Sequence, residues 1–310
     1  LRSLAERYAT ASPALVKCGW GLERNRNGGS AAAAVLALPA VAGKFGVRGG
    51  GFSMSNSATW DIDRTWMTDA EPSTRAVNMN KVGRVLTEPE GTPVNMLFVY
   101  NCNPVATLPD QRRVVRGFER DDLFTVVFDQ VMTDSAAYAD VVLPATTFLE
   151  HYDFARGYGP VTLQLGKPVI DAVGEARPNS DVFLELSRRL ELSAEGDPED
   201  DLDSMLAVLD HLSEPIGTGL REDWKAKPPY EGRPVQFVDV FPKTSDRKVE
   251  LFPKALDQQA PLGLYGFQPD PGTAEFPLAL ISPACERTIS STLGELPRPE
   301  VRLEMNPADA

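Results

Sequence analysis

The chain has 310 residues, enough for about two domains, and its 42% apolar and 24% charged content is that of a globular protein rather than a disordered or collagen-like one. Its 31 basic and 44 acidic side chains give a formal charge of −13, which excludes a broad basic surface for nucleic acid and requires any anionic ligand to be held locally. No apolar stretch approaches the ~18 residues of a membrane-spanning helix. Cys18, Cys102 and Cys285 are far apart and form no CxxC pair, so they read as small buried hydrophobes rather than iron–sulfur or zinc ligands. His151 and His211 are the only histidines and do not have HExxH spacing.

In chain order, LRSLAERYAT reads as an amphipathic helix and ALVKCGWG as a strand. The loop LERNRNGG leads into SAAAAVLALPAVAG, an Ala-rich helix that Ser30 can cap. The glycines of GKFGVRGGGF suit backbone that bends sharply or approaches a ligand closely. From Asn56 to Pro93 the pattern is weak and polar, and it reads as irregular connection. NMLFVY is a buried strand, NCNPVATLPD a loop, PDQRRVVRGF a helix and LFTVVFD a second buried strand, which together make a βαβ unit. Continuous apolar strands separated by helices predict a parallel sheet covered on both faces, with ligands bound beyond the carboxyl ends of its strands. The polar residues there are Asn101 and Asn103 after the first strand, and Asp129, Gln130, Thr133 and Asp134 after the second.

Thr133 or Asp134 can cap a short helix, SAAYA, ahead of a third strand, DVVLP. NSDVFLELSRRLEL is a helix with Val182, Phe183, Leu186 and Leu190 on one face. AEGDPEDDLDSMLAVLDHL is an acidic-headed helix, VQFVDVF and KVELF read as a hairpin, FPLALIS as a buried strand, and VRLEMNPADA as the opening of a β-rich unit. Glu150 and Asp153 stand three apart, a spacing more typical of a solvated face than of an acid–base pair.

One ordered set of segments spans nearly the whole chain: CGWGLERNRNGG with GKFGVRGGG, NCNP with PD, FDQVMTDSAAYADVVLPATTFLEHYD, GEARPNSD, and FPLALIS through NPADA. This set resembles the molybdopterin-dependent oxidoreductases of the dimethyl-sulfoxide-reductase type, which include formate dehydrogenases and nitrate reductases. The resemblance implies an α/β fold of Rossmann-like parallel sheets flanked by helices, with the start of a C-terminal β-barrel. Residues 1–92 would belong to one cofactor-binding α/β domain, 93–250 to a second with a surface insertion, and 273–310 to the barrel. It further implies two molybdopterin guanine dinucleotides around one molybdenum or tungsten atom, and an upstream 4Fe-4S cluster outside this chain. A redox substrate and an electron-transfer partner are implied as well, with no nucleic acid and no transmembrane segment. The chain would be an interior piece and, alone, redox-silent.

Carried over residue by residue, the resemblance places Trp20 and Arg24 where the first glycine-bearing loop meets the cofactor. Asn103, Phe128 and Asp129 fall at the two strand ends that receive a guanosine part. His151 takes a cofactor-contacting place where relatives often carry Lys, Asp181 matches an acidic position, and Ser282 to Thr288 fall in a loop that touches a pterin. Arg24 and Arg26, ahead of Gly28 and Gly29, suit phosphate groups. A strand-end carboxylate at Asp129 can accept both N1–H and the exocyclic amine of guanine. Two other readings compete: a non-catalytic relative such as the large iron–sulfur subunit of respiratory complex I, and a nicotinamide dehydrogenase. The latter would want GxGxxG directly after a strand, a spacing from which CGWGLERNRNGG departs.

Overall fold

The computed structural model describes residues 1–25, 27–55, 60, 62–63, 65, 74–157, 162–212, 214–226, 234–260, 262–267, 273–283, 292 and 302–310. They divide into two compact units, each assembled from separate stretches. One comprises Leu1–Ile62, Arg156–Leu163 and Lys225–Ile281; the other comprises Asp63–Ala155, Gln164–Trp224 and Ser282–Ala310.

In the first unit, helix α1 (Arg2–Thr10) precedes strand β1 (Leu15–Lys17), and helix α2 (Gly28–Val41) crosses over to strand β2 (Gly51–Ser53). The two strands are parallel, Leu15 lying opposite Gly51 and Lys17 opposite Ser53, as a βαβ crossover requires. The helix begins at Gly28 with Asn27 at its N-cap, so Ser30 lies inside the first turn and does not cap it. The Asn27 side chain is turned elsewhere, its amide donating to the Gly266 carbonyl at 3.1 Å. Glycine is required at position 50, where a Cβ would stand 2.4 Å from the Lys44 carbonyl oxygen. Gln236 reaches β2 with both ends of its amide, accepting from Phe52 N–H at 3.0 Å and donating to the Phe52 carbonyl at 2.7 Å.

The second unit is built on the predicted βαβ pattern. After helix α3 (Val82–Thr87) come strand β3 (Met96–Tyr100), the short helix α4 (Pro104–Thr107), helix α5 (Gln111–Phe118), strand β4 (Phe124–Asp129) and strand β5 (Val141–Pro144). The three strands form a parallel sheet in the order β3-β4-β5. Alternation along the strands sends Val99 and Val127 to one face, where they pack with Leu86, Val114 and Phe118 of α3 and α5. The opposite face carries Phe98 and Phe128, which pack against Val182 and Leu186 of helix α6 (Asn179–Arg189). Tyr100 and Phe183 extend that aromatic layer, their ring centroids 4.9 Å apart. Beyond the sheet lie strands β6 (Asp153–Arg156) and β7 (Leu163–Gly166), which are hydrogen-bonded neighbours, then helices α7 (Asp201–Ala207) and α8 (Glu214–Asp223).

Several local expectations give way. The stretch from Asn56 to Pro93 contains α3, which its weak periodicity concealed; it is fixed by close packing on α5 rather than by its own pattern. A Cβ at Gly117 would stand 2.7 Å from Leu86 Cβ, and one at Gly83 would stand 2.9 Å from Val114 N, so each helix meets the other at a glycine. SAAYA forms only a 3₁₀ turn, Ala136–Tyr138, although Thr133 Oγ1 does accept from Ala136 N–H at 3.1 Å. VQFVDVF and KVELF do not pair as a hairpin: the former folds back on itself through a bridge from Gln236 to Val240, and the latter forms no strand. FPLALIS is irregular, with Leu280 and Ile281 more than four-fifths exposed, and the described residues of 273–310 form no strand. A strand needs a partner for its backbone groups, and an apolar run cannot supply one by itself. Cys18 is buried as expected but Cys102 is exposed, and Cys285 lies outside the described residues.

Candidate functional site

In the first unit, the turn that leaves β1 carries Trp20, half exposed, and Arg24, exposed at the end of the 3₁₀ turn Leu22–Arg24. Both therefore follow the carboxyl end of a parallel strand, where α/β sheets present ligand-binding groups. Asn25 closes the turn by donating from Nδ2 to the Gly21 carbonyl at 2.9 Å. Arg26 lies outside the described residues.

The second unit gathers Asn103, Phe128, Asp129 and His151 around the carboxyl edge of its sheet. Chain direction reverses at Asn101, which takes a left-handed φ of 52° that asparagine tolerates. Asn103 is buried and committed to the protein: its Oδ1 accepts from Ser135 N–H at 3.1 Å and Ser135 Oγ at 2.7 Å, and its Nδ2 donates to Asp134 at 3.0 Å. It ties the loop after β3 to the loop after β4, so it shapes the crevice rather than lining it with a spare amide. Phe128, expected at this strand end, turns its ring into the protein. Its side chain is 1% exposed in the layer beneath α6, where it supports the strand end by packing.

Asp129 ends β4. Its Oδ1 accepts from Gln130 N–H at 2.7 Å, and its carbonyl accepts from Ala145 N–H at 3.0 Å. Although Cys102 is exposed, the desolvation it does feel pushes its thiol pKa up; a hydrogen bond with the Tyr100 backbone opposes this, and the nearby Asp129 carboxylate adds to the rise. Gln130 in turn donates from Nε2 to the Thr146 carbonyl at 3.1 Å, and Thr146 Oγ1 lies 2.9 Å from His151 Nδ1. One run of hydrogen bonds thus links the ends of β4 and β5 to the imidazole.

His151 lines a cleft of about 250 Å³, together with Tyr152, Asp153, Phe154, Ser180 and Asp201. Asp201 holds the cleft wall, accepting from Ser180 Oγ at 2.5 Å and from Tyr152 N–H at 2.7 Å. Glu150 turns away to a structural task, accepting from the Thr147 hydroxyl at 2.6 Å, from Thr147 N–H at 2.7 Å and from Val173 N–H at 2.7 Å. These bonds, with the Thr147 hydroxyl first, hold its carboxyl below the usual carboxylate range.

Asp181 enters α6 in its first turn, beside the cleft residues Asn179 and Ser180. Its Oδ1 is shut away from solvent with no hydrogen-bond partner. Burial raises its pKa and the Asp201 charge adds to that, while Arg177 opposes both. An orphaned carboxylate acceptor of this kind suits a ligand that brings N–H donors, as guanine and reduced pterins do, so the residues present fit such a group. Ser282 is exposed in the irregular segment that follows Ile281, and Thr288 lies outside the described residues.

Thr146 and Asp201 were not singled out from the sequence. The available signals were the pair Thr146–Thr147 directly after a strand and the acidic head of α7. Among the described residues, no group of three His, Cys, Asp or Glu side chains is placed to hold a metal ion, and no helix is long and apolar enough to cross a membrane.

Comparison with known proteins places this geometry in a family. The model of the molybdopterin oxidoreductase family matches residues 3–189. "Probable oxidoreductase YoaE" of Bacillus subtilis is 30% identical over 311 residues, covering 98% of this chain and 45% of that protein. "Dimethyl sulfoxide/trimethylamine N-oxide reductase" of Cereibacter sphaeroides is 28% identical over 229 residues, covering 63% of this chain and 27% of the relative. The structure of acetylene hydratase from Pelobacter acetylenicus superposes with a TM-score of 0.62 over 89% of this chain and 43% of that one, at 18% identity, a likeness of fold alone. The chain thus spans less than half the length of these relatives. They lend no support to a complex I subunit. The chain belongs to the molybdopterin oxidoreductase family.

Proposed function

We propose that the chain is part of the cofactor-binding core of a molybdenum or tungsten oxidoreductase that carries two molybdopterin guanine dinucleotides. The observation that carries this reading is the pair of carboxylates near the carboxyl edge of the β3-β4-β5 sheet: Asp129 at the end of β4, and Asp181 with a buried acceptor lacking a partner. Both suit the paired N–H donors of guanine or pterin, and Asp129 is assigned to guanine. When bound, the group supplies two-electron oxygen-atom or hydride transfer at its metal. The residues of this chain bind and orient it. Arg24, exposed on the loop after β1, neutralises phosphate charge that an acidic chain would otherwise repel. Trp20 contacts the cofactor from the same loop.

Asp129→Asn in the full-length protein tests the assignment. The amide oxygen still accepts from Gln130 N–H, but the second carboxylate oxygen becomes a donor facing a donor on guanine. Nucleotide released from purified wild type should be guanine, and the variant should retain about a tenth of it, because an unsatisfied buried group costs roughly 1–3 kcal/mol. A full complement of guanine nucleotide in the variant would overturn the role of Asp129. Absence of pterin and guanine nucleotide from wild type would overturn the reading itself.

A further inference from the structure

We propose that Thr146 is a positioning residue that fixes the His151 ring with its proton on Nε2, so that the cleft presents an N–H donor to an uncharged oxygen of the bound dinucleotide. The proposal rests on the reading of the chain as a cofactor cradle.

Thr146 is 1% exposed, and a hydroxyl so buried must place its single proton on an acceptor. The one side-chain partner of this hydroxyl among the described residues is His151 Nδ1, 2.9 Å away, and if the hydroxyl is to place its proton, Nδ1 is where it goes. A hydroxyl that donates to Nδ1 leaves that nitrogen without a proton, and neutral imidazole then carries its hydrogen on Nε2. Thr146 is itself pinned on both sides of its backbone. Its N–H donates to the Arg177 carbonyl at 3.2 Å, and its carbonyl accepts from Gln130 Nε2 at 3.1 Å. The hydroxyl therefore has little freedom, and the ring inherits that order.

With Nδ1 so occupied, Nε2–H is the ring's remaining polar group in a cleft that also holds Asp153 and Asp201. Those carboxylates repel a phosphate, so the partner that fits is a ribose hydroxyl or a ring carbonyl, an acceptor without net charge. A lysine at this place would bring a point charge; a tautomer-locked imidazole brings a directed donor.

The test uses the full-length protein with Thr146→Val, Thr146→Ser, His151→Ala and the Val/Ala double variant, reading guanine nucleotide retained after dialysis. Loss of one neutral hydrogen bond predicts about fivefold weaker retention in Thr146→Val, with Thr146→Ser restored to wild type. Because Thr146 acts through His151, Thr146→Val adds nothing in the His151→Ala background. Retention unchanged in Thr146→Val, a Ser variant as poor as Val, or full additivity in the double variant would each overturn the proposal. A second readout does not depend on cofactor. In apoprotein labelled with ¹⁵N-histidine, the His151 signal, assigned by its loss in His151→Gln, should show an unprotonated Nδ1 in wild type and a mixture of tautomers in Thr146→Val. An Nδ1–H form in wild type would refute the assignment whether or not the protein carries the dinucleotide.

Discussion

Replacing Asp181 by Asn should strengthen the empty protein and weaken the loaded one. Asp181 Oδ1 is buried without a partner, and a second carboxylate, Asp201, raises the cost of its charge. An unsatisfied buried acceptor costs about 1–3 kcal/mol, and the partial exposure of the residue places Asp181 near the lower end. Asn carries no charge, so it removes both the desolvation cost and the repulsion from Asp201, and the apoprotein should gain about 1 kcal/mol at neutral pH. The sign with pH follows from linkage. Folding raises this pKa, so the native state binds the proton more readily than the unfolded chain. The wild type therefore loses stability as pH rises from the ordinary carboxylate range through the raised value, and the variant does not. Urea unfolding of both apoproteins should show the advantage of Asp181→Asn at pH 7 and its disappearance by about pH 4. Guanine nucleotide content should move the other way and fall in the variant. A variant less stable than wild type at neutral pH, or an advantage indifferent to pH, would refute the account of Asp181 as a desolvated acceptor awaiting a ligand.

Two further substitutions test the frame that carries the site. Gly117→Ala places a methyl group 2.7 Å from Leu86 Cβ, forcing α3 and α5 apart at a cost of roughly 1–3 kcal/mol, seen as a lower urea midpoint. Thr125 is fully buried with its hydroxyl unpartnered, so Thr125→Val should raise stability by about 1 kcal/mol; a loss would mean that the hydroxyl has a partner.

Where a segment's fate depended on its own residues, the sequence was sufficient. NMLFVY, LFTVVFD and DVVLP became β3, β4 and β5 of one parallel sheet, as continuous apolar runs linked by crossovers favour, but only the central strand β4 is buried along most of its length, while the edge strands β3 and β5 stay largely exposed. That topology in turn places Asn103 and Asp129 at the carboxyl edge. The same reasoning failed on FPLALIS and on KVELF, whose apolar runs find no strand partner among the described residues. It missed α3, a six-residue helix that two glycines allow to lie against α5, since close approach between helices is a property of the pair.

The chemistry of the site divides along the same line. A carboxylate after a strand is legible at Asp129. That Asp181 meets Asp201 across 20 positions, and that Thr146 takes the Nδ1 of His151 and so sets the donor on its far side, depends on which loops the sheet and α6 bring within hydrogen-bond reach. Residue type and local period determined the strands and their polar ends. Burial, which decides whether Asn103 and Phe128 support the crevice or face it, and whether a carboxylate keeps a partner, came only with the packing of chain segments remote in sequence.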